Sequence, residues 1–269
     1  MTQSIAANRT RVGVAKPNPL NQTVRLYLNE LRLFSRETNV LIFVFGFPVV
    51  TMLVLSGVFG TDTGQEGFEF TSPTDYYSVA YFGIVLCSIG LIMLPAHIAG
   101  YRERGVLRRF NTSGMPFWSF AVAQFLSGAT FAVLGFGSLI ITATLANGLP
   151  SVDDPARMVV GLVVSTLAFI SIGVALGMLL PNAKAAQGLG LTLFFPMFLL
   201  AGGGPPLESL TGTMRSMADW LPLTHAIRSI QEPWLDLGDG QPHLLIVSGI
   251  AVVSTIVWLW RSVSVLGSD

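Results

Sequence analysis

The sequence predicts an all-α, polytopic membrane protein with six transmembrane helices, and three observations carry that class. Hydrophobic residues make up 51% of the 269 and charged residues only 11%, against about 25% charged in an ordinary soluble domain. Six apolar runs, at 40–60, 79–100, 116–146, 158–180, 185–206 and 244–260, are each near the ~20 residues that a helix needs to cross a ~30 Å hydrocarbon core. The charges cancel to a net of zero but are sorted along the chain: with the N-terminus inside, twelve Lys and Arg fall on the inner side and three on the outer. That bias sets both termini in the cytoplasm.

Residues 1–19 are expected to be a flexible cytoplasmic tail, because they carry Arg9, Arg11 and Lys16 and lack the apolar core of a cleavable signal. Residues 20–37 are predicted as an amphipathic helix. Steps of 100° put Arg25, Asn29, Arg32 and Arg36 on one narrow face, with Leu20, Val24, Tyr27, Leu31 and Phe34 roughly opposite. This is the pattern of a helix lying in the membrane surface, its arginines reaching anionic headgroups or a partner, although a helix packed on the protein's own spans has the same stripe.

A six-span domain over 38–262 follows. Span two is expected to end near Gly100, after which Tyr101 to Asn111 places Glu103, Val106, Leu107 and Phe110 at helical spacing among Arg102, Arg104, Arg108 and Arg109. A basic loop that merely set topology would need the arginines but not the apolar residues, Glu103 or Gly105. Span three is long enough to project from the bilayer or to tilt. Pro48, Pro95 and Pro196 are positioned to kink their helices. Between spans five and six, Leu207, Leu210, Met214, Met217 and Leu221 form one apolar stripe, and after Pro222 a second follows with Leu223, Ile227, Ile230 and Trp234. They predict two short external helices that dip toward the bilayer or cap the external mouth. Trp258 and Trp260 before Arg261 make an interfacial stop, leaving 263–269 as a cytoplasmic tail.

The chemistry-bearing residues exclude more than they propose. The one cysteine, Cys87, permits no disulfide within the chain. His97, His225 and His243 are far apart in sequence and form no HExxH, so no metal site is expected. No phosphate-binding loop surrounds Lys16 or Lys184, so ATP and magnesium are expected only in another chain, and no cofactor in this one. No acid or base lies deep in a span, which disfavours an ion-coupled carrier. A candidate translocation path for amphipathic drugs or lipids runs past Phe82, Met93, Phe194, Phe195, Met197 and Phe198, side chains that serve equally well as core packing.

Three stretches together resemble the permease subunits of type-two ATP-binding-cassette exporters, including the daunorubicin-resistance-type drug permeases. Glu103, Gly105, Val106, Leu107, Arg108 and Arg109 follow that family's E-x-G-T-L-R-x-L pattern, with Val106 at its Thr. The others are NAKAAQGLGLTLFFPMFLLAGG from Asn182 and WLPLTHAIRSI from Trp220, with Pro222, Thr224 and Arg228 as the external signature. At 201–207, AGGGPPL stands where the family often has Ser-Gly-x-x-x-Pro. The resemblance implies that Arg102, Glu103, Arg104, Gly105, Leu107, Arg108 and Arg109 couple the chain to a cytoplasmic ATPase, and that residues 22–36 are the connecting helix. It further implies a non-enzymatic subunit of an exporter in a bacterial plasma membrane, paired with a second copy or a sister permease and contacting lipid but no nucleic acid. Alternatives are a non-energised channel or structural subunit, and a lipid-modifying membrane enzyme, which would need a polar constellation at one depth.

Overall fold

The computed structural model describes residues 19–60, 68, 71–107, 109, 117–146, 148 and 151–266. Among them are α1 (Pro19–Phe34), α2 (Thr38–Phe59), α3 (Pro73–Glu103), α4 (Phe117–Ala146), α5 (Pro155–Leu179), α6 (Ala183–Leu200), α7 (Gly212–Ala218), α8 (Pro222–Trp234) and α9 (Gln241–Leu266), and no strand. Six of these helices, α2 to α6 and α9, are long and apolar enough to cross a membrane. The protein is therefore a multi-pass membrane protein. The 1–18 tail and residues 267–269 lie outside the described residues, and the helical conformation expected to stop at 260 continues through Leu266.

Helix α3 is the axis of the bundle. Every residue of its most apolar stretch is buried, with α2, α4, α5, α6 and α8 packed around it. It begins about two turns before its apolar run. Ser72 accepts a hydrogen bond from the Asp75 amide at 3.1 Å, Pro73 opens the first turn, and Asp75 complements the helix dipole. Asp154–Pro155 starts α5 in the same way, the Asp154 carboxylate accepting from the Arg157 amide. Hydropathy alone placed these starts three to six residues late, because the capping turns are polar. With 30 residues at ~1.5 Å each, α4 is about 45 Å long, the projecting or tilted span that its length predicts.

Two of the three prolines are accommodated by widened turns. The ladder is π-helical over Leu41–Gly46 before Pro48 and over Ile89–Met93 before Pro95. A proline supplies no N–H to the carbonyl four residues back and crowds it; those carbonyls, of Val44 and Leu91, fall inside the two π segments, which give the ring room. In α3 the Leu91 carbonyl then faces α6, where a Cβ at Gly190 would collide with it. Glycine at 190 thus sets how closely α6 approaches the axis. Pro196 lies inside α6, whose helix continues through it to Leu200.

Helix α8 buries Leu223, Ile227, Ile230 and Trp234, the second predicted stripe, against α3 and α5. The first stripe is less regular. It divides into a short 3-10 turn at Leu207–Ser209 and α7, and Met214 and Met217 are about half exposed.

Candidate functional site

Charged side chains of α1 and α3 and the backbone of the α5–α6 turn meet at one end of the bundle. Consecutive residues at the end of α3 hold that turn by opposite charges. The Arg102 guanidinium donates to the carbonyls of Met178 and Leu180, the latter at 2.8 Å, at the electronegative C-terminus of α5. The Glu103 carboxylate accepts from the Ala183 amide at 3.2 Å, at the electropositive N-terminus of α6, where Asn182 also caps the Ala185 amide at 2.8 Å. A cation on a helix C-terminus and an anion on an N-terminus are each favourable, by up to about 2 kcal/mol when partly buried. Residues 102 and 103 therefore fasten both sides of one tight turn to the axial helix.

Beyond Glu103 the chain departs from the expected single helix over Tyr101–Asn111. The α-helix of span two does not stop near Gly100 but runs on to Glu103. A turn at Arg104–Gly105 breaks it, with Gly105 at φ +67°, a conformation that L side chains rarely adopt. Helical conformation resumes at Val106, Leu107 and Arg109. Val106 and Leu107 are half-buried against the core, Arg104 lies 5.8 Å over the Tyr101 ring, and Arg109 is exposed. Arg108, Phe110 and Asn111 fall outside the described residues.

On the other flank, α1 packs along α4 and is tied to α3. Its buried face is Thr23, Leu26, Glu30 and Phe34. Tyr27 is half-buried and shares a hydrogen bond with Thr130 at 2.8 Å, while Arg25, Arg32 and Arg36 are exposed, as are Leu20, Val24, Leu28 and Leu33. The apolar residues thus divide between a face sealed against α4 and a face left outward. Glu30 is completely buried, 2.6 Å from His97 Nε2; Glu37 stands 3.3 Å from His97 Nδ1, and Phe34 and Tyr101 pack on the imidazole with ring centroids 4.3 and 4.5 Å away. Sequence reasoning missed Glu30 and weighed His97 as a metal ligand. The signal was present in the 23–26–30–34 spacing, which puts a carboxylate on an otherwise inward face. A cleft of about 560 Å³ opens beside this pair, lined by Glu37, Asn39, His97, Glu103, Arg104 and Gln187 among others.

The family model described as ABC-2 type transporter matches residues 21–233, which spans α1 through α8. The chain belongs to the ABC-2 type transporter family. No curated protein matches it. ABC-2 permeases are the membrane subunits of transporters that work with an ABC ATPase partner, and the ATPase activity lies in that partner.

The remaining predicted site residues of this permease separate into two groups. Phe82 stacks on Phe136 at 5.0 Å and meets Trp234 at 5.2 Å, Met93 is buried, and Phe194 and Phe198 are buried against Phe47. Met197 is half-buried, and Phe195 at 44% exposed is the outward member of the set. The external signature gathers at the opposite end of the bundle. Pro222 opens α8, the buried Thr224 hydroxyl donates to the Ala218 carbonyl at 2.7 Å and so ties α8 to α7, and Arg228 is half-buried beside a cavity.

Two of the histidines read as far apart meet here. His225 Nε2 donates to the Asp219 carbonyl at 2.9 Å, which leaves Nδ1 to accept from His243 Nδ1 at 2.9 Å, and His243 Nε2 reaches Glu232 at 3.2 Å. Burial holds the His225 imidazole below its ordinary pKa. Their positions 225 and 243, on separate helices joined by a turn, carry no local pattern that would have paired them.

Proposed function

We propose that this chain is the permease subunit of an ATP-driven exporter, with both termini in the cytoplasm of a bacterial plasma membrane. It moves an amphipathic or lipid-like substrate, as the drug permeases among its relatives by resemblance do, by alternating access. A second copy or sister permease completes the passage, and two cytoplasmic ATPase subunits bind the ATP and magnesium. Supporting this reading above all is the double grip of Arg102 and Glu103 on the α5–α6 turn, one turn of chain before the helical residues Val106, Leu107 and Arg109.

In this account the segment Arg104 to Arg109 seats against the ATPase, with Arg108 as its central charge. Closure of the ATPase pair pushes that segment. Because α3 is wedged among α2, α4, α5, α6 and α8, and interiors packed like crystals transmit displacement rather than absorb it, a push on its end moves α5 and α6 together. The connecting helix α1 follows, through Glu30 and His97. Nucleotide biases such a two-state change only to the extent that it binds one state better, a difference that the ATPase supplies. Phe195 on α6 is the candidate passage residue that this movement would expose or cover, and Arg25, Arg32 and Arg36 face the headgroups or the ATPase.

Co-purification tests the reading. Extraction of the tagged permease in mild detergent should recover an ATPase subunit, and Glu103→Ala or Leu107→Asp should lose it or hold it without transport. If the permease comes down alone in several detergents, the non-energised channel reading gains and the basic stretch is reduced to a topology signal.

A further inference from the structure

At the end of α3 remote from Glu103, a cavity of about 270 Å³ lies between the start of that helix and the α7–α8 segment. That volume is below the ~300–1,000 Å³ of sites that enclose a drug-sized ligand, so it suits a headgroup rather than a whole amphipathic cargo. Its inner wall holds Tyr76 and Gln231, both at least 96% buried, and Arg228 half-buried; Arg215 and Glu208 stand exposed at its mouth. By the loop assignment from sequence, this half of the chain carries three basic residues against eleven acids. Two of those three, Arg215 and Arg228, converge on this one cavity.

Neither arginine side chain has an ion-pair or hydrogen-bond partner among the described residues, whereas the third, Arg157, is paired with Asp154 at 3.4 Å. Of the two carboxylates at the cavity, Glu232 is engaged by His243. Among the described residues lining the cavity, Glu208 is the carboxylate left to offset the two guanidinium groups. The Gln231 amide donates to the Tyr76 carbonyl at 3.2 Å, which fixes the side chain and leaves its oxygen as an acceptor.

We infer that this cavity binds a phosphoester group bridged between Arg215 and Arg228, whose far end carries an ammonium or hydroxyl for Glu208 and the Gln231 oxygen. Two guanidinium forks from separate helices match the oxygens of a phosphodiester. A hydrogen-bond donor at the far end suits the acceptors that remain. Tyr76 is in the first turn of α3, the depth at which a spanning helix meets headgroups, so the phosphoester comes either from a phospholipid of the adjoining leaflet or from a soluble organophosphate. The site does not depend on the exporter reading and is measured on the permease alone.

The test is native mass spectrometry of the full-length protein in detergent, titrated with phosphatidylethanolamine and, separately, with diacylglycerol of the same acyl chains. Preferential retention of phosphatidylethanolamine is expected, falling at least tenfold in Arg215→Gln/Arg228→Gln and unchanged in Arg157→Gln, with thermal unfolding of each variant confirming the fold. Soluble phosphoethanolamine separates the sources: displacement of the lipid marks a site satisfied by the headgroup alone, and failure to displace marks one that needs the acyl chains. Equal retention of diacylglycerol, undiminished retention by the double variant, or an equal loss in Arg157→Gln would each overturn the inference.

Discussion

The two ends of α3 are fastened by different chemistry. At the Glu103 end, charged side chains reach across to helix termini, Arg102 to the end of α5 and Glu103 to the start of α6, while His97 pairs with the buried Glu30 inside α1. At the other end the partners are neutral. The hydroxyls of Tyr77 and Tyr81 donate to the carbonyls of Gly204 and Gly203, both at 2.8 Å, within a cluster of aromatic rings that includes Phe59, Phe68 and Phe198. Ionic contacts on exposed termini can be remade as parts shift, whereas a buried hydroxyl on a backbone carbonyl, once broken, strands both groups. The difference teaches where movement is admitted. In the proposed mechanism the charged end receives the push, and the tyrosine end holds the 202–204 loop in place while the bundle responds.

The largest expected effect comes from unpairing the buried charge. His97→Ala leaves the Glu30 carboxylate without its counter-ion and should cost about 3–5 kcal/mol, read as a lowered unfolding temperature in detergent; Glu30→Gln combined with His97→Ala should recover much of the loss. If the single variant is as stable as the parent, α1 is not tied to α3 as described. A smaller loss, about 1–3 kcal/mol, is expected for Gly190→Ala, because the new methyl meets the Leu91 carbonyl. The same substitution at Gly188, where a Cβ meets nothing within 4 Å, should be close to neutral.

At the opposite end, Tyr81→Phe should cost about 1–2 kcal/mol by stranding the Gly203 carbonyl. Hydrogen exchange should quicken over residues 201–210 and stay unchanged at 178–185; equal quickening in both places would erase the distinction between the two ends. The mildest effect is one of pH. With His225 held below its ordinary pKa by burial, the unfolded chain binds the proton more readily. The contribution of the His225–His243 contact is therefore complete above about 6.5, the ordinary value, and is lost as pH falls through the lower, folded value. Exchange over 222–234 should accelerate on acidification, and His225→Gln should flatten that dependence.

Much of this frame was legible in the sequence, for physical reasons that also set the limit. A span must satisfy its backbone internally and be apolar throughout, so six runs stand out from composition alone. Helix starts were legible through Ser72–Pro73 and Asp154–Pro155, yet only to a reading that weighs caps beside hydropathy. The π segments before Pro48 and Pro95 follow from the proline geometry. What sequence could not provide was the pairing of Glu30 with His97, 67 positions apart, or of His225 with His243, since which polar groups meet is decided by the packing of whole helices. The resemblance drew attention to residues 102–109, but did not give the contacts of Arg102 and Glu103 with the α5–α6 turn.

In the proposed mechanism, displacement enters at the Glu103 end of α3 and reaches α6 through the Arg102 and Glu103 contacts. The most direct measurement places a cysteine at Phe195 in the reconstituted complex with its ATPase and follows its labelling by a membrane-impermeant thiol reagent, with and without ATP and vanadate. In the intact chain, nucleotide should change the labelling rate severalfold. In Arg102→Ala/Glu103→Ala the complex should still hydrolyse ATP while that change disappears. A nucleotide-dependent change of the same size in the double variant would contradict the account.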